Sequence, residues 1–140
     1  MSTRSSTASS TMYVVDSSVW IALFLDDDSQ HQKALDAIAR IGDERIQVPY
    51  GVIAETVTVL SRKDSKAQAN RFVEFVRLNP QLEMTSAFSL HDMQVFTAES
   101  DRLSFVDSLL KDMALRGGYT LISFDKELLE SVNRSKSLYL

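Results

Sequence analysis

The chain has 140 residues, of which 44% are hydrophobic and 24% charged, enough for one globular domain with its own core. Lys and Arg number 15 against 19 Asp and Glu, giving a formal net charge of -4, so any nucleic-acid contact needs a local basic patch. The absence of cysteine excludes disulfides, thiolate catalysis and zinc–thiolate sites, and no apolar run approaches the roughly 18 residues of a membrane span.

The N-terminal segment differs in composition from the rest of the chain. Residues 1–11 are mostly Ser and Thr and have no apolar periodicity. Such a segment buries too little apolar surface to offset its ordering entropy, and it lacks the apolar centre of a secretory signal. We therefore expect residues 1–11 to be a disordered leader and residues 12–140 to form a single domain. The lack of cysteine fits a reducing cytoplasm, which is the location we expect.

Short strands and helices alternate along the remaining chain. The run MYVV predicts a strand buried on both faces, and residues 17–25 predict a short helix. Asp28 or Ser29 is expected to cap the next helix, which ends at Gly42. Further strands are predicted for RIQVP, QLEMT, YTLIS and the C-terminal SLYL, and further helices for 50–62, 65–78, 88–100, 104–116 and the segment after Asp125. The segment 50–62 fits strand or helix by propensity, and its length and the preceding proline favour a helix.

This alternation predicts the fold class. Short apolar strands separated by helices pair in parallel through right-handed helical crossovers. The expected architecture is a three-layer α/β/α sandwich around one parallel sheet.

Two acidic residues follow strands directly. Asp16 ends the first strand in VVDSSVW, and Asp125 follows a later strand in ISFDKEL. Open parallel sheets bind ligands at the carboxyl ends of their strands, so both carboxylates are expected at that edge. Each on its own is better explained as a helix N-cap, which accepts backbone N–H groups, and it is the pair at one edge that favours a site.

Two further acids lie within helices. Asp107 comes three residues after Ser104, as in a capping box, and Lys111 is spaced one turn on to pair with it. Glu55 in VIAETVTVL has no cation as a helix neighbour, although its helix is expected to be largely buried. Neighbouring carboxylates repel one another unless a cation joins them, and Mg²⁺ and Mn²⁺ prefer oxygen ligands. The four acids therefore predict one metal site and, with it, phosphodiester or phosphoryl chemistry.

Together, these motifs resemble those of PIN domains, most closely the VapC-type endoribonuclease toxins of toxin–antitoxin pairs. The resemblance runs from Met12 to the C-terminus. It is carried by VVDSSVW, VPYGVIAETVTVL, LSFVDSLLKDMAL and ISFDKEL, in that order. It implies a parallel sheet in the order 3-2-1-4-5, a homodimer, a cognate antitoxin as partner, and Mg²⁺- or Mn²⁺-dependent hydrolysis of RNA.

The resemblance also implies roles for individual residues. Asp16 and Asp107 would ligate the metal directly, and Glu55 and Asp125 would act through water or a second ion. Ser18 and Ser123 would hydrogen-bond ligand carboxylates or waters. Basic side chains are candidate contacts to RNA phosphates, with a solvated helix face as the alternative for each. They are Arg62, Lys63, Lys66, Arg71, Lys111 and Arg116.

Three other functions remain compatible with the sequence: a PIN nuclease of RNA processing without a toxin role, a metal-dependent phosphatase, and a non-catalytic α/β binding module whose acids only cap helices. Other polar or aromatic residues receive structural predictions. His31 and His91 are expected at the surface, Trp20 in the core or a dimer contact, residues 26–28 as a capping charge run, and Asp112 paired with Arg116.

Overall fold

The computed structural model describes residues 11–85 and 89–137, which form one parallel sheet flanked by helices. The strands within these residues are β1 (Tyr13–Val15), β2 (Ile46–Val48), β3 (Leu82–Met84) and β4 (Thr120–Ile122). They pair in the order β3-β2-β1-β4, and every pair is parallel. This confirms the predicted parallel sheet. The fifth strand predicted from SLYL falls on residues 138–140, which lie outside the described residues.

The helices of the described residues connect these strands as predicted. They are α1 (Ser17–Phe24), α2 (His31–Ile41), α3 (Tyr50–Lys63), α4 (Lys66–Leu78), α5 (Leu90–Ala98), α6 (Phe105–Leu115) and α7 (Lys126–Lys136). The ambiguous segment after Pro49 is helical. Within the described ranges, no helix is long and apolar enough to cross a membrane.

Side-chain caps fix where several helices begin. Ser65 accepts a hydrogen bond from the Gln68 backbone, and Ser89 and Asp92 form a capping box on α5. The predicted cap of α2 is wrong. Gln30 occupies the N-cap position without a side-chain bond, because the carboxylate of Asp28 instead accepts the N–H of Gln30 at 2.8 Å.

The two helical layers follow from the direction of the crossovers. Right-handed connections from β1 through β2 to β3 place α1–α4 on one face, and the return to β4 places α5 and α6 on the other. Accordingly, α1 contacts α2 and α3, and α6 contacts α5 and α7. Trp20 of α1 is fully buried against α4, with its ring centroid 5.9 Å from that of Phe72 and 5.8 Å from that of Phe75. Trp20 is therefore a core residue.

The register of β1 and β4 builds the edge where the acids lie. Val15 of β1 pairs with Ile122 of β4, and the Asp16 N–H donates to the Ile122 carbonyl at 2.9 Å. The chain leaves both strands at the same level of the sheet. Asp16 and Ser123 are consequently neighbours, although 107 positions separate them in sequence.

Candidate active site

Asp16 is held from several directions at the end of β1. Only 2% of the residue is exposed, and its Oδ1 accepts the Ser17 N–H at 2.7 Å, which caps α1. Its Oδ2 accepts the hydroxyls of Ser18 at 2.9 Å and Ser123 at 2.8 Å. A carboxylate has about four acceptor sites, so these donors orient Asp16 and leave capacity for a cation.

Ser18 and Ser123 connect the two strand ends. The Ser18 hydroxyl oxygen accepts the Phe124 N–H at 3.0 Å, and the Ser123 hydroxyl oxygen accepts the Asp125 N–H at 3.0 Å. Asp125 in turn caps α7 by accepting the N–H of Leu128. Each serine therefore touches Asp16 and also fixes the segment that carries Asp125.

The other two carboxylates come from α3 and α6. The Ser17 hydroxyl donates to Oε1 of Glu55 at 3.0 Å, which joins the start of α1 to the middle of α3. The Ser104 hydroxyl oxygen accepts the Asp107 N–H at 3.0 Å, so Asp107 lies in the first turn of α6. The contact of Ser17 with Glu55 was not predicted from the sequence. The only signal there was that Ser17, like Ser18, follows Asp16.

The four carboxylates share one open cleft of about 660 Å³. Its rim also includes Ser17, Ser18, Ser104 and Thr58, and no Lys, Arg or His of the described residues lines it. Burial raises the pKa of Glu55, with added repulsion from Asp16 and Asp125, against the lowering hydrogen bond from Ser17. Burial, together with repulsion from the other three carboxylates, raises the pKa of Asp107 to about 7, although the Ser104 hydrogen bond lowers it.

This electrostatic arrangement fits a divalent cation. In the part of the chain that the structure describes, no three acidic or histidine side chains form a ready-made metal site. Mg²⁺ does not need one, because it keeps several waters and takes only one or two carboxylates from a protein. Carboxylate and hydroxyl oxygens are the ligands that this ion prefers, and no basic side chain of the described residues lines the cleft to compete for them. The residues present therefore fit Mg²⁺.

The structure separates the predicted phosphate contacts into distinct surroundings. Arg62, Lys63, Lys66 and Arg71 are exposed on α3 and α4, outside the cleft. Arg116 pairs with Asp112, as predicted. The predictions that Lys111 contacts RNA or pairs with Asp107 are wrong. Lys111 is only 6% exposed, and its Nζ lies 3.0 Å from the carboxylate of Glu99. A buried, neutralised ammonium is not available to a phosphate.

The two histidines lie outside the cleft. His31 is partly buried, and its Nδ1 donates to the Ala22 carbonyl at 2.8 Å, so it ties α2 to α1 rather than standing free at the surface. His91 is exposed, with its Nε2 3.9 Å from Asp112. Neither residue lines the cleft.

Comparison with known proteins places this geometry in context. The sequence matches the family model described as PIN domain over residues 13–134. A search of curated protein sequences gives no significant match. The structure is similar to that of VapC20 of Mycobacterium tuberculosis, a toxin that cleaves the sarcin–ricin loop. The two share 22% identity with a TM-score of 0.74, over 86% of this chain and 95% of that one. At this identity the likeness is one of fold.

Proposed function

Because this chain belongs to the PIN domain family, we propose that it is a Mg²⁺- or Mn²⁺-dependent endoribonuclease and acts as a VapC-type toxin. The observation that carries this proposal is the cleft in which Asp16, Glu55, Asp107 and Asp125 meet without a neighbouring cation. Four neighbouring carboxylates repel one another and destabilise the metal-free protein, and a bound cation relieves that repulsion. The fold shared with a toxin that cleaves the sarcin–ricin loop supports RNA as the substrate.

The residues of the cleft divide the work of holding a cation and its waters. A bound Mg²⁺ supplies Lewis acidity, lowering the pKa of water and neutralising charge on a phosphoryl oxygen. Asp16 and Asp107 would hold it directly. Asp16 is fixed by three hydrogen-bond donors, and burial and neighbouring carboxylates disfavour the negative charge of Asp107 until a cation binds. Glu55 and Asp125 would act through water or a second ion, with Ser18 and Ser123 keeping Asp16 in place.

Glu55 is the carboxylate left to accept a proton in the cleft when Asp107 holds the cation. Asp107 has a pKa of about 7 in the metal-free protein, so it releases its proton on binding a cation. Glu55, whose pKa is also raised, keeps its orientation through the Ser17 hydroxyl. A carboxylate with a raised pKa beside the reacting phosphate is suited to accept a proton from water near neutral pH.

The proposal includes two protein partners. A toxin of this class is held off by a cognate antitoxin, and a basic antitoxin side chain placed among the four carboxylates would compete with the cation for them. The resemblance to VapC-type toxins also implies a homodimer. Both partners are testable by copurification with the product of an adjacent small gene and by light scattering of the purified chain.

Cleavage of a mixed pool of structured RNAs tests the proposed activity. Wild type should cut RNA with Mg²⁺ or Mn²⁺ and stop when the metal is chelated. Asp107→Asn should lower the rate on the order of a hundredfold or more, because it removes a proposed direct metal ligand.

Asp36→Asn is the matched control, since Asp36 is exposed on α2 outside the cleft. Equal cleavage by wild type and Asp107→Asn would overturn the assignment of the site. Turnover of a small phosphomonoester without RNA cleavage would replace the nuclease with a phosphatase. Metal binding without either reaction would leave a non-catalytic member of the family.

A further inference from the structure

A groove on the surface lies between α3 and α4, and we call it the α3–α4 groove. It has a volume of about 390 Å³ and is lined by Val57, Thr58, Ser61, Arg62, Lys66, Ala69, Asn70 and Val73. Its polar lining is basic or neutral, with two cations and no acidic side chain among the described residues. In a chain of net charge -4, this is a local surface of the opposite sign.

The groove continues from the carboxylate cleft. Thr58 lines both, and Glu55 of the cleft and Arg62 of the groove lie on the same helix, two turns apart. At 1.5 Å per residue, their backbones are separated by about 10 Å along the axis of α3. A strand of RNA whose scissile phosphate lies in the cleft can therefore continue along α3 into the groove.

The two cations of the groove are free to bind an anion. Arg62 and Lys66 are exposed, and within residues 11–85 and 89–137 their side chains have no hydrogen-bond or ion-pair partner. Several other cations are already paired: Arg45 with Glu83, Arg77 with Glu74, and Arg134 with Asp101.

The two remaining exposed candidates lie in a less favourable environment. Lys63 and Arg71 line a separate pocket that also contains Asp64 and the carboxylates of residues 26–28. Four acids beside two cations repel a phosphate, so this pocket does not favour an RNA backbone. Adjacent positions on α3 thus face opposite electrostatic environments, with Arg62 in the basic groove and Lys63 in the acidic pocket.

We propose that the α3–α4 groove binds the phosphate backbone of the substrate RNA next to the cleft, through Arg62 and Lys66. This inference rests on the proposed nuclease function. The contacts are to phosphates, so they position the strand without reading its sequence. Binding is consequently electrostatic and depends on salt in proportion to the number of phosphates neutralised.

The test measures the affinity for a short single-stranded RNA by fluorescence anisotropy over a range of salt concentrations. The Asp107→Asn background prevents cleavage during the titration. Adding Arg62→Gln or Lys66→Gln should weaken binding several-fold at low salt. Each should also reduce the slope of log affinity against log salt by roughly 0.7, the value for one phosphate contact on a single strand.

Charge-matched controls come from α2 and α7, which do not line the groove. Arg40→Gln and Lys136→Gln remove the same charge from exposed positions outside the groove and should leave the salt slope unchanged. Lys63→Gln, one position from Arg62, should weaken binding less than either groove variant. Equal losses in all five variants would reduce the effect to net charge and overturn the inference. If the groove instead binds an acidic protein partner, the groove variants should keep the RNA affinity unchanged, which would also overturn the inference.

The result is separable from the proposed activity. If wild type cleaves RNA while the groove variants bind like the controls, the inference fails and the nuclease stands. If wild type cleaves no RNA while the groove variants lose affinity as expected, the groove stands as an RNA site and the nuclease fails. The five Arg and Lys variants are all at exposed positions, and circular dichroism checks that each of them, and the Asp107→Asn background, is folded.

Discussion

The capping role of Asp16 is compatible with the metal-ligand role that we propose for it. One carboxylate oxygen caps α1 through the Ser17 N–H, while the other accepts the Ser18 and Ser123 hydroxyls at the cleft. Capping therefore does not compete with metal binding at this residue. The donors that stabilise the start of α1 also fix the carboxylate for a cation, and a helix N-terminus favours the negative charge.

Asp107 should make the stability of the metal-free protein depend on pH. Its pKa is about 7 in the folded protein against an ordinary 3.8, so folding favours its protonated form. The stabilisation from that proton is complete below about pH 4 and is lost as the pH rises through 7. In the presence of a chelator, the Tm of Asp107→Asn minus the Tm of wild type should therefore increase from pH 5 to pH 8, because only wild type loses this stabilisation.

Asp36→Asn serves again as the control, because Asp36 is exposed and accepts only a hydrogen bond from Gln32. Its Tm difference from wild type should stay constant over the same pH interval. A constant difference for Asp107→Asn as well would show that the cleft does not raise the pKa of Asp107.

The connection between α5 and α6 is held by a buried ionic network. The Lys111 ammonium on α6 lies 3.0 Å from Glu99 and donates to the Ser131 hydroxyl of α7 at 2.8 Å. Asp101 accepts from Ser131 and Arg134, and these hydrogen bonds, with the nearby Lys111 charge, lower its pKa. The network fixes the segment that leads into Ser104 and the first turn of α6, where Asp107 lies.

Removing one partner of this network should destabilise the fold strongly. Lys111→Met leaves the largely buried Glu99 carboxylate without its cation, and breaking a buried pair this way costs about 3–5 kcal/mol. Denaturant unfolding gives the free energy of unfolding. The double variant Lys111→Met/Glu99→Gln should recover much of the loss, since no uncompensated charge remains.

Arg45→Gln provides the comparison at the surface. Its pair with Glu83 is about half exposed on both sides, so its loss should cost no more than about 1 kcal/mol. Equal losses for Lys111→Met and Arg45→Gln, or no recovery in the double variant, would contradict a buried network at α6.

On the scale of the whole molecule, features with local causes could be predicted from the sequence. Asp16 and Asp125 were recognisable because each comes within three residues of the end of an apolar strand, and parallel strands bring their ends to one edge. The partner of Lys111 was not predictable, because Asp107 is one turn away on the same helix whereas Glu99 comes close only through the packing of α5 on α6. The same holds for Ser17 and Glu55, which are 38 positions apart.

The whole fold should be stabilised by a cation bound in the cleft. Mg²⁺ relieves repulsion among four carboxylates contributed by β1, α3, α6 and the start of α7, so binding stabilises the folded state. At a hundredfold excess over Kd the gain is about 2.7 kcal/mol, on the order of several degrees in Tm. The increase in Tm with Mg²⁺ should be larger at pH 8 than at pH 6, because a proton on Asp107 competes with the ion for the carboxylate. Differential scanning fluorimetry with NaCl at matched ionic strength separates binding from screening, and an equal Tm increase with either salt would exclude a specific site. Asp107→Asn should lose most of the Mg²⁺ response, whereas Asp36→Asn should keep it, because only the first lies among the carboxylates that the cation joins.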